Sequence, residues 1–175
     1  SMYELTCDNN ALTELDVGTL SNLSALYCHD NALTKLDVSK NQELRKLYCS
    51  NNHLTDLSSL KKDSQPNLQI LECAVNDLTK LDLRGFPWLN SVDCSRNQLK
   101  ELLVPTTYFA SLDCSDNDLT SLDLKDAVHI NTLNCSYNAL TDLSALSDKM
   151  NLYSLNCSNN RLTSLKTASE KLQKV

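Results

Sequence analysis

Leu44-Arg45-Lys46-Leu47-Tyr48-Cys49-Ser50-Asn51-Asn52-His53-Leu54-Thr55-Asp56-Leu57 is one copy of a phrase that runs through the whole chain. Its ruler is cysteine: Cys7, Cys28, Cys49, Cys73, Cys94, Cys114, Cys135 and Cys157, spaced 21, 21, 24, 21, 20, 21 and 22 apart. Three residues after each stands an asparagine: Asn10, Asn31, Asn52, Asn76, Asn97, Asn117, Asn138 and Asn160. Leucines follow five and eight residues after every cysteine, from Leu12 and Leu15 to Leu162 and Leu165. Two residues before each cysteine is Leu, or Val92 in one copy. A fixed period of this length is the signature of a solenoid, in which each copy is one turn of the coil.

Each column has a physical reason. Leu47 and Cys49 lie two apart, so they face the same side of a short strand while Lys46, Tyr48 and Ser50 face the other. Successive strands stack in parallel at about 4.8 Å. The leucines fill the interior, where cysteine packs as a small apolar residue. The asparagine stands where the chain leaves the strand. A turn folded inward strands backbone groups, and an amide with both donor and acceptor can satisfy them. A ladder of asparagines bonded to neighbouring turns is expected. A lone repeat cannot offset the entropy of ordering its own backbone, so stacking must supply the remainder.

The pattern L-x-x-L-x-C-x-x-N-x-L-T-x-L-D-(L/V), from about Leu5 to Leu165, resembles the leucine-rich-repeat family. Short repeats with the phrase C-S-x-N-x-L-T-x-L-D look most like bacterial repeat proteins, including surface and internalin-like ones. The resemblance implies a leucine-rich-repeat solenoid, a curved α/β-type right-handed horseshoe arc. It implies a parallel β-sheet on the concave face; the returns, such as Asp37 to Asn41, are too short and polar for a full helix, so turns, extended segments and short 3₁₀ segments are expected on the convex face. The return of the third repeat is the longest, with Lys61 to Pro66 bulging outward, and Phe86-Pro87-Trp88 reads as local packing that plugs the convex side.

No linker or shift in composition divides the chain, so residues 1–175 read as a single domain. Solenoids need caps. Thr167 and Glu170 form a capping box, and Ala168, Leu172 and Val175 share a helical face, so a short helix over 167–175 is expected to cover the last repeat. Nothing comparable precedes Leu5. The expectation is therefore a piece cut from a longer array, or else a bare first strand open to an edge-paired dimer.

Hydrophobic residues make up 41% of the chain, which separates it from disordered sequences. The formal charge of −6 argues against a nucleic-acid partner, which needs a basic face. No apolar run approaches the roughly 20 residues of a membrane span. The cysteines form no C-x-x-C pair, and a single-file column does not converge on a zinc ion. They read as buried, reduced, structural thiols. Such a ladder suits a reducing compartment, whereas the bacterial resemblance points to the surface or to secretion. The partial column Asp16, Asp37, Asp82 and Asp123 reads as capping of turn amides rather than as a calcium ladder. No metal or cofactor is implied.

Asp8, His29 and Ser50 follow the cysteine in three successive repeats, which places them side by side in the order of a nucleophilic triad. Serine recurs in that column as Ser95, Ser115, Ser136 and Ser158, and an open sheet offers no oxyanion donors, so the set reads as catalytically silent. No enzyme activity is expected.

What remains is the outward face of the strands, where residues vary while the frame does not. Repeats two to four carry Tyr27, His29, Lys46, Tyr48, Ile70 and Glu72. Repeats five to eight are small and polar, with Asp93, Asp113, Asn134 and Asn156 down the middle. The outward residues include five acids (Glu4, Asp8, Glu72, Asp93, Asp113) and one lysine, Lys46. This pattern suggests a protein-interaction module whose partner presents a basic surface, anchored by Tyr27 and Tyr48. A glycan-binding module using Tyr, Asn and Asp is the alternative, and a structural spacer within a longer surface protein is a third reading.

Overall fold

The computed structural model describes residues 2–106, 109–127, 129–144, 146 and 151–166. The capping helix expected over 167–175 lies outside them. Ten three-residue strands follow one another: β1 (Glu4–Thr6), β2 (Ala25–Tyr27), β3 (Lys46–Tyr48), β4 (Ile70–Glu72), β5 (Lys80–Asp82), β6 (Ser91–Asp93), β7 (Glu101–Leu103), β8 (Ser111–Asp113), β9 (Thr132–Asn134) and β10 (Ser154–Asn156). Eight of them form one parallel sheet in the order β1-β2-β3-β4-β6-β8-β9-β10, one strand per repeat. This is the leucine-rich-repeat horseshoe that the resemblance implies, with the long sheet lining its concave face. Strand pairing is in register throughout, so Leu5, Leu26, Leu47, Leu71, Val92, Leu112, Leu133 and Leu155 form one inward row.

The convex side differs in detail from the expectation. Among the described residues no 3₁₀ or α-helix occurs. The returns are isolated turns, such as Leu20 N–H to Val17 C=O (2.9 Å) and Leu23 N–H to Leu20 C=O (3.0 Å). A 3₁₀ helix needs such bonds at consecutive residues, and here they fall three apart. Repeats four and five add a small second parallel sheet, β5 with β7. Phe86 is buried under the return, but its neighbour Trp88 is 65% exposed rather than packed.

The core is a continuous column of leucines interleaved with cysteines. Cys28, Cys49, Cys73, Cys94, Cys114 and Cys135 are fully buried, and the end members Cys7 and Cys157 are half-buried. All eight thiols are free. Burial pushes the Cys28 and Cys135 thiols up to about 12 and those of Cys49, Cys73, Cys94 and Cys114 well above their ordinary range, with neighbouring thiols adding to the effect.

Each turn is closed by its asparagine. Asn76 Nδ2 donates to the carbonyls of Cys49 (3.1 Å), Cys73 (3.1 Å) and Ala74 (3.2 Å), while its Oδ1 accepts from Leu54 N–H (2.9 Å). One amide thus ties its own turn to the preceding one. The same four bonds recur at Asn31, Asn52, Asn97, Asn117, Asn138 and Asn160. The side chain of Asn10, in the first turn, bonds only within it, to the carbonyls of Cys7 and Asp8. A second set of amides sits on the convex side: fully buried Asn41 donates to the carbonyls of Val17 and Leu20 (2.9 Å each), and fully buried Gln65 donates to Val38 C=O (2.7 Å).

The residue before each ladder asparagine is left-handed, with φ of 53–55° at Asn9, Asp30, Asn51, Val75, Arg96, Asp116, Tyr137 and Asn159. Asn and Asp tolerate this conformation; a β-branched side chain resists it, so Val75 is the strained member.

Neighbouring positions therefore respond in opposite directions. Asn76→Leu strands the Leu54 amide and three carbonyls and is expected to destabilise by about 1–3 kcal/mol. Val75→Asn relieves strain and is expected to stabilise by about 1 kcal/mol. Urea midpoints of the two variants check both. The thiols predict a pH effect as well. Above pH 9.0, the ordinary thiol value, the unfolded chain sheds protons that the buried thiols retain. Stability is full below that pH and falls as pH rises toward about 12, a decline that denaturation curves at alkaline pH will reveal.

Candidate functional site

Strand alternation, with the inward positions filled by the core, turns the flanking residues of each strand outward onto the concave face. In-register pairing sets the middle outward residues in one row: Thr6, Tyr27, Tyr48, Glu72, Asp93, Asp113, Asn134 and Asn156. The row has two chemically different halves.

In the first half the rings of Tyr27 and Tyr48 stack with centroids 4.7 Å apart and planes 13° from parallel. The register brings Glu72 beside Tyr48, with exposed Lys46 and half-buried Ile70 paired on the adjoining outward position. Glu72 is followed by Asp93 and then Asp113, three carboxylates on successive rungs. Burial pushes the Glu72 carboxyl up, the Asp93 charge adds to this, and His29 opposes it. Burial also raises the Tyr48 phenol, with help from Glu72 and Tyr27. Among the described residues no cation lies within 4 Å of the three carboxylates as a salt bridge.

His29 turns its Nε2 toward Asp8 (3.4 Å) and Asp30 (3.8 Å). Its Nδ1 is buried without a hydrogen-bond partner. The Ser50 hydroxyl accepts the Ala74 N–H at 3.1 Å. Asp8 and His29 thus meet as their neighbouring rungs require, but Ser50 is turned to the next rung and no His29–Ser50 hydrogen bond forms. The relay of a nucleophilic triad is not assembled.

In the second half short side chains hold one another. Asp93 Oδ1 accepts from the Ser95 hydroxyl (2.7 Å) and Asp113 Oδ1 from the Ser115 hydroxyl (2.6 Å). Asn134 Nδ2 donates to Asp113 Oδ2 (2.9 Å), and the Ser136 and Ser158 hydroxyls donate to Asn134 and Asn156 (2.8 Å each). A trough of about 530 Å³ lies over β8, β9 and β10. A second hollow, about 860 Å³, lies on the convex side between the long third return and the small sheet, with Leu57, Leu60, Leu81 and Phe86 in its wall. Among the described residues no cluster of three metal-binding side chains occurs, and no helix is long and apolar enough to cross a membrane.

Reading the sequence identified the residues of the middle row but missed three features. The left-handed column had a signal in its run of Asn and Asp. Asn41 and Gln65 had none, since other repeats place Leu20, Phe86 or Ala127 at comparable points. The exposure of Trp88 depends on how the return folds over Phe86.

No family model and no curated protein matches the chain. Solved structures do. The functional domain of InlJ from Listeria monocytogenes, described as including a cysteine ladder, is 37% identical with a TM-score of 0.90, over 98% of this chain and 38% of that one. YopM from Yersinia enterocolitica WA-314 is 31% identical with a TM-score of 0.83, over 97% of this chain and 36% of that one. Internalin C2 from Listeria monocytogenes shares the fold at 20% identity, with a TM-score of 0.80 over 98% of this chain and 78% of that one. The chain thus spans little more than a third of the first two.

The row of carboxylates predicts a pH signature. Because the folded Glu72 carboxyl titrates above its unfolded value, its ionisation disfavours the fold, and stability falls as pH rises through that window. Glu72→Gln is expected to raise the melting temperature at neutral pH and to make no difference below the carboxylate range. Melting curves of both proteins across acid pH check this.

Proposed function

Taking as premise that the chain is a leucine-rich-repeat protein of the short type with cysteine in its strands, we propose that residues 1–175 act as one recognition domain that binds a protein partner through the concave face. The observation that carries this is the Tyr27–Tyr48 stack. The stack holds two large rings rigidly on the open sheet, and rigid aromatics are the usual energetic anchors of an interface. His29, Lys46 and Glu72 flank the rings, and Asp93 and Asp113 continue the acidic row.

The partner carries a basic surface. Glu72, Asp93 and Asp113 stand on adjacent rungs, an arrangement of like charges that is unfavourable until a cation is brought to it. The sheet alone is small: eight strands at about 4.8 Å span roughly 34 Å, and three outward residues, two apart at about 3.3 Å per residue, span roughly 13 Å, which together project roughly 440 Å², against about 800 Å² per partner in a standard interface. The rim therefore takes part, which brings in Asp30, Arg45 and Asn51. The InlJ likeness fits the bacterial surface or secreted setting that the repeat resemblance implies. It also supports a binding role rather than a catalytic one.

For a protein ligand of this chain, Tyr27→Ala and Tyr48→Ala are each expected to weaken binding by about 1 kcal/mol or more, with the variants still cooperatively folded at the temperature of the titration. Ser115→Ala and Ser136→Ala are expected to be near neutral. Calorimetric titration of the four variants measures both. Normal binding by the two tyrosine variants, with loss on Trp88→Ala, would place the contact on the convex side instead.

A further inference from the structure

We propose that the trough over β8, β9 and β10 is a second binding site, separate from the tyrosine patch, and that it takes a neutral, hydroxyl-rich ligand: an uncharged stretch of oligosaccharide. The trough measures about 530 Å³, within the range of small-molecule sites. Its outward lining is Ser111, Asp113, Thr132, Asn134, Ser154 and Asn156. These are three hydroxyls, two amides and one carboxylate, and none has a long aliphatic stem.

The lining itself decides what fits. An anion finds no lysine, arginine or histidine there and one carboxylate against it. A metal ion finds a single carboxylate. An apolar group finds no side chain larger than Asn turned toward it. A protein partner finds no aromatic or arginine anchor on the floor of the trough, in contrast to the first half of the sheet. A polyhydroxyl ligand needs what is present: mixed donors and acceptors at a fixed spacing, since each sugar hydroxyl both gives and takes a hydrogen bond. The groups are held in place before any ligand arrives. Thr132 Oγ1 donates to Ser111 Oγ at 2.8 Å, and Asn134 Nδ2 to Asp113 Oδ2 at 2.9 Å, so little side-chain entropy remains to be lost on binding.

A second observation is independent of the lining. Two exposed aromatic side chains stand on the same repeats: Tyr137, 60% exposed, three residues beyond Asn134, and Tyr153, 47% exposed, immediately before Ser154. Because one follows its strand and the other precedes its own, they occupy opposite rims of the sheet. Aromatic faces at a polar groove supply the apolar surface that the C–H faces of a sugar ring require.

The test uses the chain as it is. A printed array of neutral, sialylated and sulfated oligosaccharides is probed first, and ¹⁵N shift mapping then follows titration of the neutral glycan bound best. The expected result is binding to a neutral glycan, insensitive to EDTA, with shifts centred on Ser111–Asn156. The Asn134→Ala, Asn156→Ala double variant should bind at least about tenfold more weakly. Thr132→Arg, which fills the trough without touching the core, should abolish binding even if the double variant proves unstable. Tyr27→Ala and Tyr48→Ala should leave it unchanged, so loss of the protein-binding reading would not carry this one with it. The proposal is overturned if no neutral glycan binds with a Kd below about 10 mM. It is overturned too if EDTA or Tyr27→Ala removes binding, if Thr132→Arg leaves it intact, or if the trough captures only a polypeptide.

Discussion

A chain that turns into its own core at every repeat must satisfy the backbone groups it carries inward, and in this protein one amide per turn does so. Asn76 shows the economy of the arrangement: three carbonyls and one N–H, drawn from two successive turns, converge on a single side chain. No shorter polar residue offers both donor hydrogens and an acceptor at that reach. The left-handed residue just before it aims the turn, and the leucine and cysteine columns then fall into register behind it. Removing the amide leaves buried polar groups without water or partner, which is costlier than the loss of any one contact.

Because the frame closes on itself through inward groups, the outward strand positions are freer to vary in chemistry than the core. That freedom explains why the sheet face is chemically divided while the core is uniform. Stacked tyrosines and a run of carboxylates occupy one half; short hydroxyls and amides occupy the other. The thiol column behaves in the opposite way. Its members are equivalent, mostly inaccessible and held protonated by burial, so they act as packing rather than as chemistry.

Regularity fails where the third return lengthens. Gln65 there takes the place that Asn41 holds one turn earlier, donating to Val38 C=O and accepting from Lys61 N–H. The next repeat departs from the pattern twice, with Ala74 where serine recurs and with Val75 at a left-handed position. The small sheet of β5 and β7 begins at this point. These departures lie beside Glu72 and Tyr48, so the least regular part of the frame adjoins the aromatic half of the face.

The amino-acid sequence by itself determined the period, the rung on which each residue sits and the side to which each strand residue points. A repeat of about 21 residues and an alternation of two leave no freedom in those assignments, and so the middle row from Tyr27 to Asn156 was legible as a list. What the list does not hold is relation across rungs at finer scale. That the two tyrosines stack face to face, that His29 leans toward Asp8 while Ser50 is taken by Ala74, and that Trp88 stays out while Phe86 goes in depend on rotamers and return paths. These are chosen by packing against residues some 20 positions away, a coupling that exists only once the turns are stacked.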